Sequence, residues 1–260
     1  MMRRIRLIIE YDGTAYVGWQ TQKNGLSIQA VLERELFKIT GERIALHGSG
    51  RTDSGVHALA QVAHFDTLVR MPADKFTYAL NTGLPADIRI RYSDEADLSF
   101  HSRFSAKNKH YRYTLSPGPH GRVFCRNTAL HVHGALDLSL MQHAARALLG
   151  QQDFCAFMAS GGKVESTVRT IYRSEWSEQE GLLFYDVEGN GFLYNMVRIF
   201  AGTMLSIGKG LIPQNSIELA LLSGKRTDAG PTAPAHGLML MGVRYEGFDT
   251  NVILNQGGTI

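Results

Sequence analysis

DIRIRY, residues 87–92, alternates between charged and apolar side chains, a pattern that is typical of a half-buried β-strand. Three more apolar stretches lie between the N-terminus and this segment, and each is bounded by turn or loop residues. They predict strands at 5–11 (IRLIIEY), 43–48 (RIALHG) and 61–67 (QVAHFDT), the last two as partners. The N-terminal part of the chain is therefore predicted to contain four strands.

Two amphipathic helices are predicted between these strands. Ser27 is the expected N-cap of the first helix, and apolar residues recur at helical spacing until Gly41 ends it. Pro72 opens the second helix, which is expected to run to about Leu80. The resulting order, β-α-β-β-α-β, is that of a ferredoxin-like domain.

The second half of the chain resembles a looser copy of this order, which predicts an α+β fold of two ferredoxin-like halves with antiparallel sheets and a cleft between them. The expected divisions are an N-terminal half at 1–105, a C-terminal half at 106–247 and a loose tail at 248–260. Strands are predicted at 110–115, 167–176, 182–189 and 238–245, and helices at 138–150, 192–208 and 216–224.

The composition excludes several classes of protein. Hydrophobic residues make up 44% of the chain and charged residues 20%, which is ordinary for a globular protein. Two cysteines, Cys125 and Cys155, are too few for a disulfide scaffold. The N-terminal apolar run is too short for a signal peptide, and no stretch approaches the ~20 apolar residues of a membrane helix. We therefore expect a cytoplasmic protein that does not contact a membrane.

GSGRTDSGVHA, residues 48–58, is the most unusual loop of the chain, and its residues allow three interpretations of its function. Its glycine spacing resembles part of a phosphate-binding loop, but Val56 and His57 stand where that motif needs Lys and Ser or Thr. Nearby histidines allow a metal site, although no recognised ligand spacing supports one. The third interpretation is a tight turn that presents Asp53 as a nucleophile, with Arg51 keeping it ionised. A turn in which Asp53 only caps backbone amides remains the alternative.

The stretch from Leu98 to Leu136 contains no acidic residue but six Lys or Arg and five His. Such a one-sided run is the electrostatic pattern expected of a nucleic-acid contact. Arg112 is expected to contact phosphate, so that its loss weakens RNA binding and reduces the salt dependence. The interleaved aromatic residues are candidates for stacking on bases, or else for the core: Phe100, Phe104, Tyr111 and Tyr113.

The loop GRTDSGVHA resembles the active-site loop of the tRNA pseudouridine synthase A family, which typically reads GRTDAGVHA. Further motifs of that family follow in the same order, so that the resemblance covers residues 5–245. Two departures, Ser54 for the usual Ala and Ala156 for a common Ser, remove no catalytic position. The matching motifs are EYDGTAYVGWQ, SIQAVLE, NTGLPADIRI, FHSRFSAKNKHYRYTL, GQQDFCAF, GNGFLYNMVRIFAGTM and TAPAHGLMLMGVRY.

The resemblance implies isomerisation of uridine to pseudouridine at positions 38, 39 and 40 in the anticodon stem-loop of tRNA. It implies a homodimer that works without cofactor or metal, with a basic active-site cleft between the two halves. Asp53 matches the catalytic carboxylate and Tyr111 the active-site tyrosine. Arg198 matches the arginine that pairs with the Asp, Arg51 the arginine that fills the space of the flipped base, and Arg103 a basic residue near the substrate.

Two other functions remain open at this point. One is a tRNA-binding protein that has lost its activity, although Asp53, Tyr111 and Arg198 are all present. The other is a metal-dependent nucleic-acid hydrolase that would use Asp53 with the histidines near it in sequence, namely His47, His57 and His64. The sequence leaves open whether Asp53 attacks the sugar, attacks the base or assists elimination.

Overall fold

The computed structural model describes residues 1–162 and 164–256, and the chain divides into two units. Unit 1 consists of Met1–Lys107 and Leu240–Ile260, and unit 2 of Asn108–Met239. Both units combine helices with β-sheet, so the fold is mixed α and β. Within the two described ranges, no helix is both long and apolar enough to cross a bilayer.

The N-terminal part of unit 1 has the element order β-α-β-β-α-β that its sequence predicts. Its sheet runs in the order β4-β1-β3 with antiparallel neighbours, and the short β2 pairs antiparallel with β3. The central strand β1 is buried on both faces because Leu7, Ile8 and Ile9 are fully covered. The elements are β1 (Arg3–Tyr11), α1 (Ile28–Thr40), β2 (His47–Gly48), β3 (His57–Thr67), α2 (Lys75–Gly83) and β4 (Ile88–Ala96).

Helix α1 begins and ends where its sequence predicts. The Ser27 hydroxyl accepts a hydrogen bond from the Ala30 N–H at 3.1 Å, which satisfies one free donor of the first turn. Gly41 adopts a left-handed conformation with φ of 73°, and its N–H donates to the Phe37 carbonyl at 2.9 Å. Both ends of α1 are fixed by hydrogen bonds between residues close in sequence, which explains why the sequence pattern predicts the helix bounds correctly.

The strand predicted at 43–48 is wrong for most of its length, since β2 covers only His47–Gly48. Side chains of α1 occupy the backbone groups that a strand would have used. The Leu46 N–H donates to the Glu33 carboxylate at 3.0 Å, and the Leu46 carbonyl accepts from Gln29 Nε2 at 3.1 Å. The segment therefore follows the helix and joins the sheet only at its end.

Unit 2 is built around four antiparallel strands in the order β5-β9-β8-β7, with β6 parallel to β5. The hairpin between β8 and β9 turns at Glu180 and Gly181, whose φ values of 53° and 70° match a type I′ turn. The elements are β5 (Asn108–Pro117), β6 (Leu130–Val132), α3 (Leu138–Arg146), β7 (Gly150–Asp153), β8 (Val168–Gln179), β9 (Leu182–Gly189), α4 (Met196–Gly208) and α5 (Ser216–Ser223).

Two helices of unit 2 are shorter than predicted. Helix α4 begins at Met196 rather than Phe192, because Asn195 has a left-handed φ of 60° that a helix does not continue through. Helix α3 ends at Arg146 rather than near Gly150. The chain after Arg146 continues in i→i−3 hydrogen bonds, and Gln152 Nε2 donates to the carbonyls of Ala147 and Leu149 at 2.9 Å each.

The C-terminal segment returns to unit 1 as β10 (Leu238–Tyr245), β11 (Phe248–Asp249) and α6 (Thr250–Gln256), with β10 beside β3. The expectation of a loose tail from 248 is therefore wrong up to residue 256, and 257–260 lie outside the described residues. The Thr250 hydroxyl accepts from the Val243 N–H at 2.9 Å. The Arg6 guanidinium lies over the Phe248 ring with 3.4 Å between its central carbon and the ring centroid.

Candidate active site

The first half of the loop 48–58 is fixed by strand β3. Ser49 is fully buried, and its N–H donates to the Val62 carbonyl at 2.7 Å. The Ser49 hydroxyl donates to Gln61 Oε1 at 2.6 Å, and Gln61 Nε2 donates to the Gly50 carbonyl at 3.0 Å. The side chains of Ser49 and Gln61 are therefore both hydrogen-bonded, which fixes the path of the chain into the loop.

The next residues place Asp53 at the start of a tight turn. The Thr52 hydroxyl and the buried Tyr11 hydroxyl are hydrogen-bonded at 2.7 Å. Burial raises the pKa of Tyr11 to about 12, so Tyr11 remains a neutral partner. The Asp53 carbonyl accepts from the Val56 N–H at 3.1 Å, and Gly55 takes a left-handed φ of 77°. Asp53 is half-buried, between two anchored positions.

The segment 13–19 packs directly on this loop at two glycines. A Cβ added to Gly13 would lie 2.1 Å from the Val56 carbonyl oxygen. A Cβ added to Gly18, which has φ of +103°, would lie 2.5 Å from the Thr52 carbonyl oxygen. That carbonyl also accepts from the Trp19 N–H at 3.0 Å. The motif EYDGTAYVGWQ therefore supports the Asp53 turn from outside, a role that its sequence did not reveal.

His57 serves the loop's structure. It is 1% exposed, and its Nδ1 accepts from the Gly13 N–H at 3.1 Å and lies 3.0 Å from Asp12 Oδ1. His64 contacts Ser102 through its own Nδ1, with 2.9 Å to the hydroxyl. In residues 1–162 and 164–256 no three His, Cys, Asp or Glu side chains are grouped so as to hold a metal ion.

Arg51 and Arg103, the other two candidates in unit 1, are both exposed. The pairing of Arg51 with Asp53 that was expected from the sequence stays a prediction. Arg103 belongs to a turn that follows the buried Ser102, whose hydroxyl donates to the His47 carbonyl at 2.6 Å. The turn with Arg103 is thereby attached to β2, the strand that leads into the loop.

Tyr111 lies in unit 2 on strand β5 and is 8% exposed. Its ring meets the Phe192 ring edge to face, with 5.2 Å between centroids. Tyr113 is fully buried on the same strand, and its hydroxyl donates to the Pro234 carbonyl at 2.8 Å. Burial raises the pKa of Tyr113, so that this side chain stays neutral.

Arg198 lies in the first turn of α4 and is held in one orientation. Its Nε donates to the Ala233 carbonyl at 2.8 Å, and its Nη1 donates to Asn195 Oδ1 at 2.8 Å. The Arg198 carbonyl in turn accepts from the Ala233 N–H at 3.0 Å. Such a fixed guanidinium suits the recognition of a carboxylate. Arg51, Asp53 and Arg103 therefore lie in unit 1, and Tyr111 and Arg198 lie in unit 2.

Comparison with known proteins identifies the family. The family model described as tRNA pseudouridine synthase matches residues 7–105 and 144–246. The chain belongs to this family. Among curated proteins named tRNA pseudouridine synthase A, that of Ruminiclostridium cellulolyticum is 49% identical over 94% of this chain and 100% of its own length. Those of Acetivibrio thermocellus and Geobacter sulfurreducens are each 46% identical, with the same coverage of both chains.

A solved structure also aligns with this pseudouridine synthase, at a much lower level. The archaeal box H/ACA sRNP Nop10-Cbf5 complex gives a TM-score of 0.35 at 12% identity, covering 86% of this chain and 60% of that chain. This likeness is too low to support an argument about the fold. The family assignment rests on the family model and the curated relatives.

Two residues that orient or neutralise cationic side chains of this pseudouridine synthase are not apparent from the sequence. Asn195 orients Arg198 through a hydrogen bond. Its positive φ just before α4 marks it as unusual, but that feature is visible only in the structure. Asp186 on β9 is 1% exposed and binds both His110, at 2.6 Å, and Arg112, at 2.9 Å. Part of the positive charge of the acid-free stretch is therefore neutralised from a strand far away in sequence.

Proposed function

We propose that the protein isomerises uridine to pseudouridine at positions 38, 39 and 40 in the anticodon stem-loop of tRNA, with Asp53 as the catalytic carboxylate. The observation that carries the proposal is the Asp53 turn of a tRNA pseudouridine synthase, with Ser49 and Thr52 anchored before it and Gly13 and Gly18 packed against it. A fixed backbone on both sides of a half-buried carboxylate is what a reaction at one sugar or base atom requires.

The finer architecture that we propose is two ferredoxin-like halves with a basic active-site cleft between them. In this arrangement the N-terminal half supplies Asp53, and the C-terminal half supplies Tyr111 and Arg198. Arg198 then pairs with Asp53 and keeps it ionised, since an adjacent guanidinium favours the charged form of a carboxyl group. The fixed orientation of Arg198, held by Ala233 and Asn195, supports this pairing.

The reaction is an isomerisation in which atoms and electrons balance without a co-reactant. The bond between uracil N1 and the sugar C1′ breaks, the base turns, and C5 bonds to C1′. The C5 proton is lost and N1 gains one. Three roles are open to Asp53: attack on the sugar, attack on the base, or assistance of the elimination. Tyr111 stacks on the base, and its edge-to-face contact with Phe192 supports a fixed ring orientation.

The target base must leave the helical stack, which costs on the order of a few kcal/mol. Arg51 fills the vacated space in this proposal, and its exposed side chain two positions before Asp53 supports that role. Arg103 contacts the RNA as a second exposed cation. We further propose that the enzyme needs neither metal nor cofactor, acts as a homodimer and works in the cytoplasm.

Tritium release from tRNA transcribed with uridine labelled at C5 tests this function in the presence of a chelator. Wild type is expected to release tritium, and Asp53→Asn is expected to bind tRNA without release. Asp74→Asn removes an exposed carboxylate at the start of α2 and is the matched control, expected to react like wild type. Unaltered turnover in Asp53→Asn would sink the assignment of the carboxylate. If wild type binds tRNA without releasing tritium, the result favours a tRNA-binding protein. If the chelator abolishes activity, the result favours a metal-dependent enzyme.

A further inference from the structure

The aromatic residues of the acid-free stretch differ sharply in exposure. Tyr113 is fully buried in unit 2, and Tyr111, at 8% exposure, presents only a small part of its ring. Phe100 is half-buried in unit 1, where it packs on Tyr245 with 5.0 Å between ring centroids. Phe104, in contrast, is 76% exposed. Of these four side chains, Phe104 alone presents most of its ring to solvent.

The exposed Phe104 ring is backed by a row of histidines. Its centroid lies 4.4 Å from that of His101, at an interplanar angle of 35°. His101 contacts the ring of His64 at 4.7 Å and that of His47 at 5.8 Å, and His47 and His64 are stacked at 5.1 Å. We call Phe104, His101, His47 and His64 the ring row. It runs from a side chain that is 2% exposed, His64, to one that is mostly in solvent.

The backbone under the ring row is well ordered by hydrogen bonds. The His101 N–H donates to the Ser105 hydroxyl at 3.0 Å, and the Ser105 N–H donates to the His101 carbonyl at 2.9 Å. The Arg103 N–H donates to His101 Nδ1 at 3.1 Å. The backbone that carries Phe104 is therefore fixed before any ligand binds, and its ring rests against that of His101, which lowers the entropic cost of binding.

The charge at the exposed end of the ring row, around Phe104 and His101, is positive. The Arg103 guanidinium carbon lies 5.6 Å from the centroid of the Phe104 ring. Burial lowers the pKa of His101, and the positive charges of His47, Arg4 and Arg103 lower it further. At the buried end of the ring row, the Asp66 carboxylate is paired with Arg4 at 2.7 Å and acts on His64. An anion near Phe104 is attracted by the cations at the exposed end. A nucleotide could therefore stack its base on the ring and place its phosphate beside Arg103.

The ring row also adjoins the loop that presents Asp53. His47 pairs with His64 across β2 and β3, and the loop begins directly after β2. The Ser102 hydroxyl ties the turn with Phe104 to the His47 carbonyl at 2.6 Å. A ligand that stacks on Phe104 therefore binds at the entry of the Asp53 loop, within unit 1.

We propose that Phe104, backed by His101 and flanked by Arg103, is a stacking surface for one unpaired nucleobase of the RNA substrate, with Arg103 on the phosphate of that nucleotide. The inference rests on the proposed function for the identity of the RNA. Stacking on an aromatic ring tolerates any base, because every base has a π-face. The surface would thus hold a nucleotide beside the target uridine without restricting sequence.

The test measures binding of an anticodon stem-loop RNA with 2-aminopurine placed beside the target uridine, at several salt concentrations. All proteins contain Asp53→Asn, so that no turnover occurs. Phe104→Ala is expected to weaken binding about 5- to 150-fold and to abolish the quenching of 2-aminopurine, with an unchanged salt slope. Phe104→Trp is expected to retain both binding and quenching. Arg103→Ala is expected to reduce the salt slope by about one.

Tyr78→Ala is the matched control, because Tyr78 is a 65% exposed ring on α2 with the Lys75 ammonium 5.3 Å from its centroid. It is expected to bind RNA like the parent. Parental affinity in Phe104→Ala, with tritium release intact in the wild-type enzyme, overturns the stacking surface alone. Weakened binding in Phe104→Ala without tritium release in wild type overturns the proposed function and retains the surface. A parent that binds no RNA overturns both.

Discussion

Arg112 and Asp186 are joined by two parallel hydrogen bonds, from Nε to Oδ1 at 2.9 Å and from Nη2 to Oδ2 at 3.0 Å. Asp186 is 1% exposed, and its Oδ1 is also 2.6 Å from His110 Nε2. Burial alone would raise the pKa of Asp186, but the hydrogen bonds from His110 and Arg112 outweigh it and the pKa is lowered. Arg112 therefore compensates a buried charge, in addition to any contact with RNA.

Arg112→Ala is accordingly expected to destabilise the fold by about 1–3 kcal/mol, because it leaves a buried carboxylate with one partner fewer. Urea denaturation measures this loss. The salt slope of RNA binding should change little if Asp186 is the main partner of Arg112, and should fall if the phosphate contact expected from the sequence also forms. The double variant Arg112→Ala with Asp186→Asn should lose less stability than the sum of the single variants. Arg91→Ala breaks a more exposed pair with Glu10 and should cost less than about 1 kcal/mol. A stable Arg112→Ala protein with a reduced salt slope would restore the phosphate contact expected from the sequence.

Gly18→Ala is expected to disturb the Asp53 turn. The new Cβ would lie 2.5 Å from the Thr52 carbonyl oxygen, at a φ of +103° that disfavours side chains. We expect a loss of several kcal/mol in stability, or a displaced loop with greatly reduced tritium release. Gly41→Ala is the control, because its φ is also positive at +73° but no atom lies within 4 Å of the added Cβ. Equal activity in both variants would show that the packing of Gly18 against the turn is unimportant.

The stability of the protein is expected to fall below neutral pH because of His64. Burial, followed by the charges of Arg4, His101 and His47, lowers the pKa of His64 from 6.5 to about 4. The unfolded chain then takes up a proton near pH 6.5, whereas the folded protein does so only near pH 4. The stabilisation is thus complete above pH 6.5 and is lost as the pH falls toward 4, by on the order of 3 kcal/mol.

His64→Asn checks this assignment, because the Asn side-chain oxygen replaces Nδ1 as an acceptor for the Ser102 N–H, which is 3.2 Å away in the native protein. Urea midpoints measured between pH 4 and pH 7 should fall less steeply in the variant than in wild type. A variant with the same pH dependence as wild type would assign the effect to other groups.

Asn195→Gly is expected to reduce turnover while the fold is retained. Glycine adopts the positive φ of 60° freely, so the substitution removes mainly the hydrogen bond from Arg198 Nη1 to Asn195 Oδ1. If Arg198 orients Asp53 as proposed, kcat should fall about tenfold or more with little change in KM. Asn195→Asp keeps an acceptor oxygen and should recover part of the rate. Unchanged kcat in Asn195→Gly would mean that Arg198 is held in place without the contact to Asn195.

The parts of the structure that could be predicted from the sequence are those fixed by local chemistry. Ser27 begins and Gly41 ends helix α1 through contacts within four residues. The alternating pattern of DIRIRY identifies a strand without knowledge of the strand that it pairs with. The Asp53 turn was visible because its glycines are close together in sequence. What the pattern missed depends on residues far apart in the chain: the buried Asp186 beside Arg112, and the side chains of α1 that bind the segment before β2.

The position of β10 beside β3 has a consequence for synthesis on the ribosome. Strand β3 ends at Thr67 and β10 begins at Leu238. The sheet of unit 1 can therefore be completed only after nearly the whole chain has been synthesised. Until then β3 lacks a long partner strand on the side away from β1, where only the two residues of β2 pair with it, and its remaining N–H and C=O groups are a template for pairing with another chain. Pairings across such long sequence separations also form slowly. A chain that terminates early, before Leu240, is therefore expected to aggregate, which couples the quality of the product to completion of translation.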